Sequence, residues 1–520
     1  MVRLLTLAAH TLALLKAAAT ATATPDVAGC PDSDCSFSQV PLTQANLTAS
    51  KVQQDLGPLL SKKTNIYGSD DSRYEHAIGR WQAFAAPQFT VIVEVAAEDD
   101  VSKVVKYANE NSVPFYTVNR AHGGARAQGD FSGIQINVVP LSGIQINPDG
   151  KTARFQGGAY DQEAIDVLWE QGYVGTTGSC GCVGMMGPGL GGGHGRYQGL
   201  HGLISDNLIK MDVVLASGES VEVSSESHPD LFWAMQGAGH NFGIVTSFEM
   251  KIHPRVVDTW FFRNWVFTQD KLEDLFEALN KINGNGTQPG EMAVVFGFFY
   301  LDPTFSETEA VIWWSMHYAG PQEDAEPYFE PLNNLGHINV TEGNVPYTQI
   351  PHATRTGEDD PLCDHGMNHV IRTAGLQVYN ITTQREIYNL FNQNIKDHPE
   401  FAASYIVMEA YSVEAVKKVD HSASAFSQRD ENLLVQISVT YPPEPSLDET
   451  ALEWAGKTRD LFNEGQPGRL PSTYINYGLG DESLESIYGY EPWRLEKLRG
   501  LKHKYDPENR FRYYVPIIRD

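Results

Sequence analysis

The sequence predicts an α+β protein in which an α/β layer comes first and an antiparallel sheet covered by helices follows. An apolar β-branched run at 89–95, an amphipathic stretch at 99–109 and a second apolar run at 114–118 form a β-α-β unit. After Pro254, long apolar strands alternate with amphipathic helices. A chain of 520 residues has room for two or more domains.

The remaining elements of the first half follow from periodicity and turn residues. A helix is predicted over 160–171, ended by Gly172, and a hairpin turn at Ser217-Gly218 joins two strands. The other predicted elements are strands at 134–139, 152–155, 208–215, 220–223 and 242–252 and a short helix at 230–235.

The second half has longer strands and helices. Strands are predicted at 293–300, 311–314, 405–411 and 433–441, and helices at 271–282, 383–395 and 452–462. The tail from Tyr474 to Asp520 is rich in aromatic and basic residues, so we expect it to pack against earlier parts of the chain.

The N-terminus has the pattern of a signal peptide. Arg3 precedes an apolar stretch at 4–15 that is too short to span a bilayer, and small residues follow up to position 24. A short membrane anchor is the alternative. Behind such a leader, four sequons become predicted glycosylation sites: Asn46, Asn285, Asn339 and Asn380. We therefore predict a secreted, extracellular glycoprotein with no membrane span.

Charge and cysteine content narrow the function classes. Acidic residues number 65 against 38 basic ones, a net charge of -27, which disfavours binding to nucleic acid. In an oxidising compartment, Cys30 and Cys35 are expected to form a disulfide. The pairing of the other three cysteines, Cys180, Cys182 and Cys363, stays open.

Two glycine-rich segments carry reactive side chains. One is Arg120-Ala121-His122-Gly123-Gly124, and the other runs from Gly178 to Gly195 and contains Cys180. Glycine allows close approach of the backbone to a flat or anionic ligand. The segments match neither a P-loop nor the dinucleotide-binding fingerprint, and a surface loop is the alternative. His194 and His201 lack the adjacent carboxylates that would favour a metal site.

These segments, together with Tyr474-Ile-Asn-Tyr477 and Tyr505-Asp-Pro-Glu-Asn-Arg-Phe511, resemble FAD-linked oxidoreductases of the vanillyl-alcohol-oxidase type, in the berberine-bridge-enzyme-like branch. After the signal peptide at 1–24, the resemblance implies an FAD-binding domain of two α/β subdomains at 25–254. It further implies a substrate domain at 255–470, with its antiparallel sheet covered by helices, and a C-terminal segment at 471–520 that returns to the FAD-binding domain.

The resemblance also implies where FAD binds. In the family, a histidine bonds the 8α-methyl group and a cysteine bonds C6. His122 and Cys180 take these roles here, although His122 lies two residues before the usual histidine position, which Gly124 occupies. The alternatives are a loop histidine and a free or disulfide-bonded thiol, with Cys363 as the partner. Further cofactor contacts are expected at Arg120, Gly123, Gly124, Gly184, Gly187, Gly191, Gly192, Gly193, Asp206, Gly243 and Ile244.

Tyr477 matches the family's catalytic tyrosine, and Glu409 is the carboxylate expected to assist it. Their alternatives are a core aromatic and a solvent-facing strand residue. The implied function is an oxidase that uses O₂ to oxidise an alcohol or hemiacetal, of carbohydrate or phenolic and secondary-metabolite type, and makes H₂O₂. The alternatives are a dehydrogenase with another electron acceptor and a flavin glycoprotein without turnover. Trp313, Trp314 and Tyr318 are candidates to stack on the substrate.

Overall fold

The structure is a computed structural model that describes residues 47–519. The predicted signal peptide, the Cys30–Cys35 disulfide and the sequon at Asn46 lie outside the described residues. Within them, no helix combines the length and the apolarity needed to cross a bilayer.

The first half contains two main sheets. One has the order β1-β2-β4-β3, with β2, β4 and β3 parallel, and the other is antiparallel with the order β5-β6-β10-β8-β9. β7 and β11 form a separate pair. The strands are β1 (Asn65–Tyr67), β2 (Gln88–Glu94), β3 (Phe115–Val118), β4 (Ser132–Asn137), β5 (Ile144–Ile146), β6 (Thr152–Gln156), β7 (Tyr173–Val174), β8 (Leu208–Leu215), β9 (Ser220–Ser224), β10 (Gly243–Lys251) and β11 (His253–Pro254).

Helices cover these sheets, and α3 shows why they form. Its first turn holds three acidic residues near the positive end of the helix dipole, while Val101, Val104, Val105 and Ala108 are buried at helical spacing. The helices are α1 (Ala49–Asp55), α2 (Tyr74–Ile78), α3 (Glu98–Glu110), α4 (Asp161–Glu170), α5 (Met186–Gly189), α6 (Gln198–His201), α7 (Ile204–Asn207) and α8 (Pro229–Ala238).

The second half is built on a seven-stranded antiparallel sheet with the order β15-β12-β14-β13-β17-β18-β16. Its strands are β12 (Trp260–Phe267), β13 (Val294–Tyr300), β14 (Val311–Tyr318), β15 (Asn339–Val345), β16 (Asn368–Leu376), β17 (Tyr405–Tyr411) and β18 (Leu433–Tyr441). Its helices are α9 (Leu272–Asn283), α10 (Gln322–Asn333), α11 (Ile350–Ala353), α12 (Ile381–Asp397) and α13 (Asp448–Glu464).

The two faces of this sheet have different neighbours. Phe299 of β13 and Met408 of β17 belong to a core shared with α9, α12 and α13. Because side chains alternate along a strand, Phe298 and Val407 lie on the opposite face, in a smaller apolar cluster without those helices. The α+β class, with one helix-covered antiparallel sheet, is therefore confirmed.

The tail packs against the first half of the chain. It contains α14 (Leu484–Tyr488) and α15 (Pro492–Tyr505), and α15 contacts α8. The fully buried ammonium group of Lys502 donates hydrogen bonds to the Asn241 carbonyl and to Asp506. Arg510 donates to the carbonyl of Val113 in the loop before β3. These contacts hold the tail on the first half of the chain.

Candidate active site

A cavity of about 400 Å³ lies where the glycine-rich loops face the seven-stranded sheet. Most of the residues singled out in the sequence line it, and they come from distant parts of the chain. These residues are Arg120, His122, Gly123, Cys180, Gly184, Gly187, Gly243, Ile244, Glu409 and Tyr477.

The remaining predicted cofactor residues lie outside this lining. A Cβ on Gly124 would lie 2.3 Å from Cδ1 of Ile371, so Gly124 permits close packing on β16. Gly192 and Gly193 have φ angles of +105° and +82°, which favour glycine. A Cβ on Gly191 would clash with Asn476 of the tail. For these four glycines the structure shows packing contacts or positive φ angles, and their contact with the cofactor stays a prediction.

Asp206 also lies outside this lining, and its role in FAD binding stays a prediction. Its carboxylate accepts hydrogen bonds from both terminal nitrogens of Arg429, at 2.7 and 3.1 Å, and from the backbone N–H of Leu203. Arg429 is fully buried, so the pair neutralises a charge inside the protein. Asp206 thereby fixes the loop after the glycine run to the segment before β18.

His122 is held in one orientation beside the cavity. Its Nδ1 lies 2.8 Å from the carbonyl oxygen of Arg120, and its Nε2 lies 3.4 Å from Sγ of Cys182. Burial lowers the pKa of His122 to about 4, so the imidazole is neutral at physiological pH. A neutral imidazole keeps a lone pair on one nitrogen, which a nucleophile requires.

Three sulfur atoms cluster behind this histidine. Cys182 and Cys363 form a disulfide, and Sγ of Cys180 lies 3.5 and 3.7 Å from their sulfur atoms. Cys363 is therefore the partner of Cys182 and not of Cys180. Cys180 is the one free cysteine among the described residues, and burial raises the pKa of its thiol to about 12.

Glu409 and Tyr477 form the hydrogen-bonded pair that the sequence predicts. The Tyr477 hydroxyl donates to Oε2 of Glu409 at 3.1 Å, and the Tyr411 hydroxyl donates to Oε1 at 2.7 Å. Burial raises the pKa of Glu409, and the two tyrosine hydrogen bonds oppose that shift. The pKa of Tyr477 lies well above its ordinary value because of burial and the nearby Glu409 charge. Glu409 is therefore the member of the pair that ionises, whereas Tyr477 keeps its proton.

The lining fits a flat, anionic cofactor. Arg80, Arg120 and Arg510 place guanidinium groups around the cavity. Among residues 47–519, Nε of Arg80 and Nε of Arg120 are buried without a hydrogen-bond partner. A Cβ on Gly187 would meet nothing within 4 Å, so the backbone there faces open space. Unpaired donors and a bare backbone are the features that a bound phosphate requires.

Sequence reasoning missed several lining residues and proposed others that lie elsewhere. Ser179, Arg196 and Tyr411 line the cavity. Side chains two residues apart on a strand lie on the same face, so the prediction of Glu409 could have been extended to Tyr411. None of the proposed stacking residues, Trp313, Trp314 and Tyr318, is part of this lining, and Trp314 is buried in the core shared with the helices.

Comparison with known proteins agrees with this geometry. Residues 89–224 match the family described as FAD binding domain. The chain is 56% identical to the FAD-linked oxidoreductase anuG of Penicillium roqueforti over 489 residues, which cover 94% of this chain and 95% of the relative. BBE-like 1 of Physcomitrella patens has a TM-score of 0.76 at 20% identity, covering 90% of this chain and 100% of the other.

A second solved structure has the same fold. Glucooligosaccharide oxidase from Acremonium strictum, described with a 6-S-cysteinyl, 8α-N1-histidyl FAD, has a TM-score of 0.73 at 20% identity. The match covers 90% of this chain and 98% of that one.

Proposed function

This chain belongs to the FAD-linked oxidoreductases, and on that premise we propose that it is a secreted oxidase of an alcohol or hemiacetal carbon that reduces O₂ to H₂O₂. The observation that carries the proposal is the hydrogen bond between Tyr477 and Glu409 on the wall of the FAD cavity. This pair supplies a base where a substrate hydroxyl would lie.

The protein's part in the reaction is proton removal. As the substrate hydroxyl gives its proton to the Tyr477 oxygen, Tyr477 passes its own proton to Oε2 of Glu409, 3.1 Å away. Tyr411 holds the other carboxylate oxygen in place. Tyr477 stays neutral throughout, which its raised pKa favours, and burial favours the protonated product form of Glu409. When bound, FAD would supply the hydride acceptor and the redox centre at which O₂ is reduced to H₂O₂.

FAD binding is assigned to the cavity's own donors. The guanidinium groups of Arg80, Arg120 and Arg510 supply positive charge for the pyrophosphate. His122 and Cys180 line the same cavity, which supports covalent links at both, as in the glucooligosaccharide oxidase. A neutral imidazole and a free thiol are the states that such links start from.

The substrate side of the cavity favours a phenolic or secondary-metabolite alcohol over a carbohydrate. β13 and β17 present Phe296, Phe298, Tyr405 and Val407 to the cavity, whereas Gln436 is the lining residue from β18. The many hydroxyls of a sugar would lose hydration against these apolar side chains without gaining partners. A largely apolar alcohol would bury its ring or chain there and present one hydroxyl to Tyr477.

Secretion is supported by the leader and by the sequons in the described part. Asn285 and Asn339 are exposed, and Asn380 is half-buried because its side chain accepts a hydrogen bond from the N–H of Thr383 at the start of α12. Digestion of the secreted protein with an N-glycosidase should lower its mass. No mass change would contradict the glycan proposal.

The test of function uses the purified full-length holoenzyme and a peroxide assay over aromatic alcohols and oligosaccharides. We expect turnover with aromatic alcohols and little with sugars. Reducing the flavin without air and then admitting O₂ separates the alternatives, because an oxidase reoxidises at once. Flavin that stays reduced in air would indicate a dehydrogenase, and no substrate-driven reduction would indicate a glycoprotein without turnover.

A further inference from the structure

Arg196 is a buried guanidinium beside the Glu409 pair, and none of its hydrogen-bond partners is a carboxylate. It is 1% exposed and lines the cavity. Its nitrogens donate to the Ser179 carbonyl at 2.8 Å, to Nδ1 of His317 at 3.1 Å and to the Thr356 hydroxyl at 2.9 Å. Within residues 47–519, no carboxylate lies within 4.0 Å of it. A buried cation without a counter-ion lowers the stability of the folded protein. We therefore look for a function of the Arg196 charge.

The partners of Arg196 keep its charge intact. Nδ1 of His317 accepts from Nε of Arg196, so the ring proton of His317 is on Nε2, which lies 3.0 Å from the Ser315 hydroxyl. Ser315 in turn donates to Oδ1 of Asn264 at 2.6 Å. Burial and the Arg196 charge hold the pKa of His317 well below its ordinary value, so this ring is neutral. The guanidinium is therefore fixed by neutral groups.

A short chain of contacts leads from Arg196 to Glu409. Nη1 of Arg196 donates to the backbone carbonyl of Ser179, and the Ser179 hydroxyl lies 2.8 Å from the Tyr411 hydroxyl. A phenol has one proton, which Tyr411 gives to Glu409 at 2.7 Å, so Ser179 is the donor to Tyr411. Arg196 thus anchors the residue that supports Tyr411.

The other titratable groups near Glu409 do not supply positive charge. His194 stacks on Tyr411, and burial lowers the pKa of His194 to about 4. Glu431 shares a small cavity with Glu409 but is paired with Arg469 at 2.7 Å. The remaining nearby groups are phenols whose pKa values burial raises: Tyr379, Tyr411, Tyr474 and Tyr477. Arg196 is the cation whose charge opposes the effect of burial on Glu409.

We propose that Arg196 is a positioning residue whose fixed, unpaired charge keeps Glu409 ionised and ready to accept the proton that Tyr477 passes on. It acts through Ser179, Tyr411 and its own field, without being the group that takes the proton. The inference rests on the proposed role of Glu409 as the base.

The test measures the protonation of Glu409 directly, without a substrate. In the holoenzyme, the infrared C=O band of the protonated carboxyl is titrated with pH and assigned by its absence in Glu409→Gln. Removing the charge in Arg196→Met or Arg196→Gln should raise the midpoint by about one pH unit or more. Arg196→Lys, which keeps the charge, should restore most of the wild-type midpoint.

A matched control separates charge from the loss of a buried arginine. Arg494 is also fully buried, and its contacts are Glu491 and the carbonyls of His421 and Ser424. Arg494→Met should leave the midpoint unchanged. If Arg196→Met does not fold, Arg196→Gln still offers a donor to the Ser179 carbonyl and serves as the neutral variant.

Two different results separate the failures. A wild-type midpoint in a folded, FAD-loaded Arg196→Gln variant would overturn the role of Arg196 and leave the proposed function standing. Flavin reduction at the wild-type rate in Glu409→Gln would instead remove Glu409 as the base.

Discussion

The two walls of the cavity are built from the sequence in different ways. On the cofactor side, neighbouring residues of two glycine-rich segments supply the lining, such as His122 with Gly123 and Cys180 with Gly184. On the substrate side, side chains come from strands more than a hundred residues apart in sequence, and cross-strand register brings them together. Phe296 of β13 lies opposite Glu409 of β17, and Phe298 lies opposite Val407.

This difference shows which part of a site tolerates change. A backbone cradle depends on the absence of side chains, so adding a Cβ is the sharpest disturbance. A sheet wall depends on register, because a slip of one residue in β17 would turn Glu409 toward the helix-covered core. A substitution on one wall should therefore leave the property that depends on the other wall unchanged.

The largest effect is expected on the sheet wall. Glu409→Gln removes the proton acceptor but keeps the side-chain shape, so flavin reduction by substrate should slow by about 10²–10⁴-fold. FAD content should not change, because the cradle is untouched. Glu414→Gln, at an exposed carboxylate just beyond the same strand, is the control and should behave as wild type. Stopped-flow absorbance of the flavin measures the rate.

A similar rate of flavin reduction in Glu409→Gln and wild type would mean that the two walls do not divide chemistry and binding as proposed.

The dependence of wild-type activity on pH, on its acid side, gives a second check. Because burial raises the pKa of Glu409, activity should fall as pH decreases through a value above the ordinary carboxyl range.

The cradle wall is tested at Gly187, whose added side chain meets no protein atom within 4 Å. Gly187→Leu should place the new side chain in the space that FAD needs and weaken FAD binding by roughly 10- to 100-fold, the effect of about 1–3 kcal/mol of overpacking. The fold should survive. Gly456→Leu in α13, which also meets nothing within 4 Å, is the matched control.

Flavin content by absorbance and secondary structure by circular dichroism decide the Gly187 result. Full flavin content in Gly187→Leu would place the cofactor elsewhere in the cavity.

The proposed covalent links give the next test of the cradle. After acid denaturation, wild-type flavin should remain with the protein. His122→Ala and Cys180→Ser should each keep one link, and the double variant should release all flavin. Mass spectrometry of flavin peptides identifies the bonded residue. Release of all flavin from His122→Ala alone would limit attachment to one bond, and release from the wild type would exclude covalent attachment.

An effect on stability alone, without an effect on chemistry, is expected beneath the second glycine segment. Asp161 at the start of α4 accepts the Gly178 N–H at 2.8 Å, and burial raises its pKa to about 8 from 3.8. The folded state therefore holds a proton in this window that the unfolded state releases, and stability falls as pH rises from about 3.8 to about 8.

Asp161→Asn should remove this dependence, which amounts to at most about 1.4 kcal/mol per pH unit. Melting temperatures at about pH 5 and about pH 7.5 measure the change. Asp99→Asn, at an exposed position in the first turn of α3, is the control and should leave the slope as in wild type. A slope that persists in Asp161→Asn would assign it to another group.

Periodicity predicted the elements whose residues face one core. The strands Tyr405–Tyr411 and Leu433–Tyr441 and the hairpin around Ser217-Gly218 are confirmed. Seven strands of the described residues were missed: β1, β5, β7, β11, β12, β15 and β16. β12 is buried along its whole length and has no alternation, whereas the edge strand β15 is mostly exposed and polar. α10 was missed because it contains Pro327 and Pro331, which normally disfavour a helix.

For the site residues too, those in contiguous motifs could be predicted from the sequence and those brought together by the fold could not. His122, Cys180 and Gly187 were found because a motif is contiguous. Glu409 and Tyr477 came from the family resemblance, and the structure shows their hydrogen bond. Arg196 directly follows the glycine run in the sequence, but an arginine can be assigned to a cavity only when its contacts in the fold are known. Its three-dimensional contacts come from β14 and from the segment at Thr356, which no local pattern connects.

The Cys182–Cys363 disulfide links the two halves of the chain covalently. It joins the second glycine-rich segment to the segment before β16, with a sequence separation of 181 residues. A cross-link over so long a loop removes much of the freedom of the unfolded chain. Because the same bond holds these two segments together in the folded protein, we expect the cavity to keep its width whether or not flavin is bound.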